Sequence, residues 1–229
     1  MFRMLKLEPP HGWRAVFWEL GIVTIGVLTA LSAEQLVQSI QWKSDVEQTR
    51  TALDAELAFN LAAFDYRVKQ RKCVVARLKE LSVVIARQRQ GHGTSFRKEI
   101  TGPTGFGVRT AVWEVASGEA RSRIPFDAKL QYGALYDMLE NYTFLRLAED
   151  AEWDNLQDFD FATPMDRRDL QQAVGAVRRL EDQNALLSGM ILFRRGLAQP
   201  LRIEAQNAIE STIGDLAKST QQALCAPLV

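Results

Sequence analysis

The run LGIVTIGVLTALSA, residues 20–33, decides how this chain is organised, because it carries no charged side chain. Adding the preceding AVFW and tolerating Glu19 extends the apolar segment to 19 residues. At about 1.5 Å per residue this length approaches the roughly 30 Å hydrocarbon thickness of a bilayer. Trp13 and Trp18 lie at its start and Trp42 lies beyond its end, where indole rings favour the headgroup level. The sequence therefore predicts one membrane-spanning helix.

The charges that flank this segment predict its orientation. Three basic residues precede it and a mixed set follows it: Arg3, Lys6 and Arg14, then Glu34, Lys43 and Asp45. Positive residues favour the cytoplasmic side. We therefore expect a cytoplasmic leader (1–14), an anchor helix (15–40) and a helical domain outside the cytoplasm (41–229), as in a single-pass protein of the bacterial inner membrane with a periplasmic domain.

Two other interpretations of the apolar segment remain open. A signal peptide could be cleaved after Leu31-Ser32-Ala33, although the long charged leader and Glu19 fit that poorly. The segment could also be the central helix of a soluble core. Glu19 itself is either a hydrated residue at the interface or an intramembrane carboxylate that relays protons or pairs with a partner. Gly26 and Ala30 have the small-xxx-small spacing that lets two helices approach, and this permits a homodimer.

Composition narrows the functional classes. The 229 residues include 28 Lys plus Arg and 28 Asp plus Glu, so no net field attracts nucleic acid. We expect no nucleic-acid partner. With only His11 and His92, a His-based triad or a zinc site is not expected. We also find no P-loop, nucleophile elbow or CxxC motif, and we predict no catalytic residue, metal or cofactor.

The rest of the chain is predicted to be mainly helical. No glycine or proline occurs between Gly26 and Gly91, so a long helix is expected, followed by a loop at 91–107 with a short extended piece at 95–100. Strands are few or absent, and the predicted fold is all-α, an antiparallel bundle on an N-terminal transmembrane helix that continues into a long helix. Four later helices are predicted. The first is short, from Thr110 to a stop at Gly118, and the second covers Asp127–Leu156. The third is capped by Thr163-Pro164 and runs to Gln199 with a break near Gly196, and the last covers Leu201–Leu224, with one face formed by Ile203, Ile209, Ile213 and Leu216.

Several side chains are candidates for a structural or binding role. Cys73 and Cys225 could form a disulfide in an oxidising compartment, or be two unrelated thiols. Asn60 lies in the apolar seam with Glu56 one turn before it, where a buried amide can fix register. Four aromatic residues could line a ligand pocket, or simply form core: Trp113, Tyr132, Tyr136 and Trp153. The acids between Glu149 and Asp160 could hold calcium, but they lack EF-hand spacing and are better explained as a solvated helix end.

The segments WRAVFWELGIVTIGVLTALSAEQ, DAELAFN, TAVWEVASGEARSRIP and YGALYDML resemble a group of bacterial single-pass membrane proteins with no assigned activity. The resemblance covers about half of the chain. It implies a helical extracytoplasmic domain on an N-terminal anchor, and it carries over no site residue.

Three functional hypotheses follow. The first is a membrane-anchored, non-enzymatic accessory protein. Its partners would be the lipid bilayer and another membrane or periplasmic protein. The second is a ligand-binding or sensory bundle that acts through a membrane partner, which requires a cavity beside the aromatic residues. The third is an enzyme with an unfamiliar site, which requires polar side chains that converge in a pocket.

Overall fold

The computed structural model describes residues 12–116, 118–205 and 215–229. These residues form helices and irregular connections, and none of them belongs to a β-strand, so the predicted all-α class is confirmed. The helices, numbered in chain order, are α1 (Trp13–Lys69), α2 (Arg71–Gln88), α3 (Ala111–Val115), α4 (Gly118–Arg123), α5 (Phe126–Gln157), α6 (Arg167–Leu201) and α7 (Asp215–Cys225).

The chain divides into two units, Met1–Thr49 and Arg50–Val229. Within the first unit the described residues are almost wholly helical, and their large apolar side chains, such as Ile22, Ile25 and Leu28, are exposed. Near the N-terminus lies the one helical window among the described residues that is long and apolar enough to cross a membrane, and none of that window is buried. A soluble core helix would be buried, so this exposure argues against that interpretation. The predicted leader residues Arg3, Lys6 and His11 lie outside the described residues.

The expected long helix is present, with a one-residue interruption at Gln70. There the amide of Gln70 bonds to the carbonyl of Arg67 and the amide of Cys73 bonds to that of Gln70, at 3.2 and 3.0 Å. Both bonds span three residues rather than four, which tightens the backbone locally. No glycine or proline marks this position, so the interruption could not be read from helix-breaking residues.

The connection between α2 and α3 is a long loop, as predicted, which we call the α2–α3 loop (residues 89–110). Gly91 has φ +79°, a backbone conformation that residues other than glycine rarely adopt. The extended piece expected at 95–100 does not form a strand. The prediction that Gly118 stops the short helix was wrong. The helix ends at Val115, because Ala116 is extended (ψ 121°), and Gly118 begins α4 instead.

The start of α6 also differs from the prediction. Its N-cap is Asp166, whose carboxylate accepts the amide of Asp169 at 2.8 Å, rather than Thr163. Thr163 cannot begin the helix there, because its carbonyl and the amide of Met165 are held by the side chain of Gln88.

At its other end, α6 continues through Gly196 without the predicted break and includes Pro200. Arg202, with φ 59°, ends it. Residues 202–205 are not helical, so the predicted last helix does not begin at Leu201; the described part of it is α7. Ile209 and Ile213 lie outside the described residues, as does the side chain of Leu216.

The core of the second unit lies between α2, α5, α6 and α7. Helices α5 and α6 run antiparallel over their lengths, joined by a connection of residues 158–166, and α6 and α7 both pack on α2. Trp153, Leu180 and Leu224 are buried in one cluster with Val74 and Leu81 of α2. A second cluster joins α1 to α5 and α6 through Phe64, Tyr142 and Leu187. This packing is the expected antiparallel bundle.

Candidate functional site

Buried amide side chains on α1 and α2 hold the neighbouring loops. Asn60 donates from Nδ2 to the carbonyl of Arg109 (2.7 Å) and accepts the amide of the same residue (2.8 Å). Gln70 bonds in the same two-way manner to Thr104, at 2.7 and 2.9 Å. Both amides are fully buried, so each takes the place of water for the N–H and the C=O of one residue of the α2–α3 loop.

The spacing of these contacts explains how the loop crosses the bundle. From Asn60 to Gln70 the helix rises by about 15 Å, and five extended residues from Thr104 to Arg109 reach up to about 17 Å. The loop therefore runs antiparallel to α1 in a nearly extended form. The predicted role of Asn60 was to fix the register between helices, whereas the structure shows that its side chain bonds to the loop.

Glu56, one turn before Asn60, accepts the amides of Val112 (2.8 Å) and Trp113 (3.3 Å) at the start of α3. The hydroxyl of Tyr136 donates to the same carboxylate at 2.6 Å. Burial, and next this hydrogen bond to Glu56, raise the pKa of Tyr136. The three donors share one carboxylate that is itself buried, so Glu56 holds the start of α3 and the hydroxyl of Tyr136.

Three of the acids between Glu149 and Asp160 form ion pairs, and Asp160 accepts hydrogen bonds from the amide of Ala162 and the hydroxyl of Thr163, both at 2.9 Å. Glu149 is fully buried and binds both Nε (2.9 Å) and Nη2 of the buried Arg67, which corrects the expectation of a solvated helix end for this residue. Asp150 pairs with Arg146, and Glu152 with Arg179, both at 2.5 Å. Among the described residues no group of His, Cys, Asp and Glu is arranged to hold a metal ion.

The two cysteines lie within disulfide-bonding distance, with Cα atoms 4.8 Å apart, and join α2 to the end of α7. One turn after Cys73, Arg77 donates from Nη2 to three carbonyls at the end of α7, those of Ala223, Leu224 and Ala226, at 2.7 to 3.0 Å. The last carbonyls of a helix lack the usual amide partner four residues further on, so the buried guanidinium provides them with a donor, although the carbonyl of Ala223 also accepts the amide of Ala226 at 3.3 Å. The pairing and the cap together secure the C-terminal segment.

The four predicted pocket residues do not form one site. Trp113 and Tyr136 stack with ring centroids 4.6 Å apart, and both line a cavity of about 540 Å³. Tyr132 is buried behind them and donates to Asp54; burial, and next that bond, raise its pKa to about 12. Trp153 belongs to the core cluster of α2, α6 and α7. The side chains of Glu114, Asp137 and Glu140 also line the cavity.

Beside this cavity, α5 and α6 form an apolar groove of about 1010 Å³. We call it the α5–α6 groove. Its walls include Phe144, Leu186 and Phe193, which are 72%, 58% and 69% exposed. Large apolar side chains this exposed on a folded unit usually mark a binding surface. Asp137 and Phe144 line both the groove and the cavity, so the two adjoin each other.

The charged side chains that line this surface are all acidic. Four acids line the groove and the cavity, namely Glu114, Asp137, Glu140 and Asp182, and no basic side chain does. Within the described part of the chain no salt bridge involves any of them, whereas the whole chain is neutral. The surface therefore favours cationic groups.

The pattern of each single helix does not distinguish the groove residues, because each of them lies among apolar neighbours such as Leu145 and Leu192. The signal that could have found them is a helical projection of α5 and α6, in which apolar residues cover more than one face.

Comparison with protein-family models, with curated proteins and with solved structures finds no match to this chain.

Proposed function

We propose that this chain is a single-pass membrane protein whose helical domain binds another membrane or periplasmic protein and has no catalytic activity of its own. The observation that carries the proposal is the α5–α6 groove, with Phe144, Leu186 and Phe193 exposed on its walls. Exposing these side chains to water is unfavourable by about 25 cal/mol per Å² of apolar surface, and a partner that covers them removes that cost.

The unburied apolar window near the N-terminus supports the membrane part of the proposal, since exposed Ile, Leu and Val side chains suit contact with lipid. The basic residues that precede it favour a cytoplasmic N-terminus and a periplasmic domain. The polar side chains buried around Glu56, Asn60 and Gln70 hold backbone rather than converge on an open pocket, which favours an interaction role over catalysis.

Photocrosslinking in cells tests the proposal. A photoreactive phenylalanine analogue placed at Phe193 of the full chain is expected to form an adduct with another protein. Gly189 lies in the groove, and a Cβ built there meets no atom within 4 Å, so Gly189→Leu introduces a large side chain into the groove from a position with room for its first atom. This variant is expected to abolish the adduct.

The matched control is Gly196→Leu on the same helix. Gly196 has equally open surroundings but does not line the groove. Both substitutions improve helix propensity by up to about 1 kcal/mol, so neither is expected to unfold α6. Absence of a protein adduct at Phe193, or an adduct that Gly189→Leu leaves unchanged, would contradict the proposal.

A further inference from the structure

We infer that the occupant of the α5–α6 groove is an amphipathic helix of a partner protein that carries basic residues beside its apolar face. This inference rests on the proposed function and names the chemistry of the partner. It depends on the shape of the groove, on the acids that line the groove and its adjoining cavity, and on the residues that the two share.

The shape of the groove suits a helix. Along α6 the lining residues run from Asp182 to Leu197, a rise of about 22 Å, which matches roughly four turns of a docked helix. Gly189 and Ala185 lie midway along this wall, where small side chains let a partner backbone approach closely. Apolar residues at helical spacing on the partner would meet Phe144, Leu186 and Phe193.

The acidic side chains of this surface favour a partner that carries basic side chains. Asp137 and Asp182 line the groove, and Glu114 and Glu140 line the cavity that adjoins it, with no basic side chain among them. A Lys or Arg side chain on the docked helix can bury its aliphatic stem against Phe144 and place its cation near Asp137 and Glu140. The stacked rings of Trp113 and Tyr136 form the adjoining wall.

The same charges disfavour two other occupants. An isologous dimer through this groove would bring two identical acidic surfaces together, and like charges facing each other oppose association. Phospholipid with an anionic headgroup meets the same repulsion. A cationic amphipathic helix satisfies both the apolar walls and the acids.

Binding of two probe peptides to the full chain in nanodiscs of zwitterionic lipid tests the inference. Both peptides have about 18 residues and the same leucines at helical spacing; one carries lysines beside the apolar face and the other glutamates. Fluorescence anisotropy measures their affinities, with empty nanodiscs as the blank. We expect the lysine peptide to bind about tenfold more tightly at low salt, and the preference to shrink as salt is raised.

Substitutions locate this preference. Asp137→Asn with Glu140→Gln is expected to reduce the preference for lysine about threefold or more. Asp154→Asn with Glu181→Gln removes the same charge from exposed positions outside the groove and the cavity, and is expected to leave the preference unchanged. Gly189→Leu is expected to abolish binding of both peptides, whereas Gly196→Leu is not.

Equal binding of the two peptides, tighter binding of the glutamate peptide, no binding of either, or a preference that survives Asp137→Asn with Glu140→Gln would overturn the inference. If the Phe193 crosslink still captures a protein in any of these cases, the proposed function stands and only the partner chemistry is wrong. If that crosslink captures lipid or a second copy of the chain, both the inference and the proposed function fail.

Discussion

At the scale of single residues, buried polar side chains on α1 and α2 determine where the loops lie. A side-chain amide such as that of Gln70 offers both donors and acceptors, so it can bond to the N–H and the C=O of one loop residue, and in a buried position no water can replace it. Asn60, which lies in the apolar seam of α1, makes the same kind of contact with loop backbone rather than with a facing helix.

Replacing Gln70 tests this role. Gln70→Leu keeps the volume approximately but leaves the amide and carbonyl of the half-buried Thr104 without these hydrogen bonds. We expect the free energy of unfolding to fall by about 2 to 3 kcal/mol. Thermal unfolding of the full chain, followed by circular dichroism, measures the loss. Gln157→Leu at an exposed position is the control, and an equal effect of both would contradict the role.

Tyr142 should make stability depend on alkaline pH. Burial raises its pKa from 10.0 to about 12, and its hydroxyl has no hydrogen-bond partner among the described residues. A folded-state pKa above the unfolded value favours the protonated phenol, so this contribution is complete below pH 10 and is lost as pH rises from 10 to 12. The loss amounts to about 2 to 3 kcal/mol.

Tyr142→Phe is therefore expected to be neutral or slightly stabilising at pH 7 and to reduce the loss of stability between pH 10 and 12. Tyr136→Phe is the matched comparison, because it removes a 2.6 Å hydrogen bond to Glu56 and should destabilise at neutral pH by about 1 to 2 kcal/mol. Melting temperatures across this pH range measure both. A large destabilisation by Tyr142→Phe at pH 7 would show that its hydroxyl is bonded.

At the scale of elements, α7 depends on contacts far away in the sequence. It has 11 residues, which is short for a helix that must be stable by itself. Its C-terminus is held by Cys73 and Arg77 of α2, and Leu224 and Leu228 are buried in the core. The helix is therefore stabilised by docking.

Removal of the cysteine pair should release this element. Cys73→Ser with Cys225→Ser opens a loop with a sequence separation of 152, and the chain-entropy model gives a loss of about 4 to 5 kcal/mol. We expect reductant to lower the melting temperature of the wild-type chain to that of the double variant and to leave the variant unchanged. Hydrogen exchange in α7 should increase in parallel. A wild-type melting temperature that does not respond to reductant would indicate that no bond forms.

At the scale of the whole molecule, the proposed anchor and the cysteine pair imply the same compartment. A disulfide persists outside the cytoplasm, where the predicted orientation places the second unit.

Thiol labelling of the full chain in cells tests this arrangement. After the outer membrane is permeabilised, a membrane-impermeant maleimide is expected to label Cys73 and Cys225 only once a membrane-impermeant reductant has been added. Denatured extracts provide the total. Labelling that needs a membrane-permeant reagent and no reductant would place the domain in the cytoplasm and reverse the proposed orientation.

The sequence by itself determined the helical class, the long N-terminal helix and the apolar segment within it. These features depend on local periodicity and on the absence of glycine and proline, which act within a few residues. It also identified the cysteine pair as a candidate. The ends of helices were predicted less well. Thr163 has the side chain of an N-cap, but its carbonyl is held by Gln88. Gly118 is a residue that often ends helices, but here the helix has already ended at the extended Ala116.

Only the tertiary structure decided which polar residues are buried, which aromatic residues meet, and where the surface stays apolar. Trp113 stacks on Tyr136 while Trp153 lies in another cluster, although all three have similar local sequence signals. The α5–α6 groove exists because two antiparallel helices leave Phe144 and Phe193 facing solvent. Burial depends on contacts between residues that are distant in the chain, and a local sequence pattern does not specify those contacts.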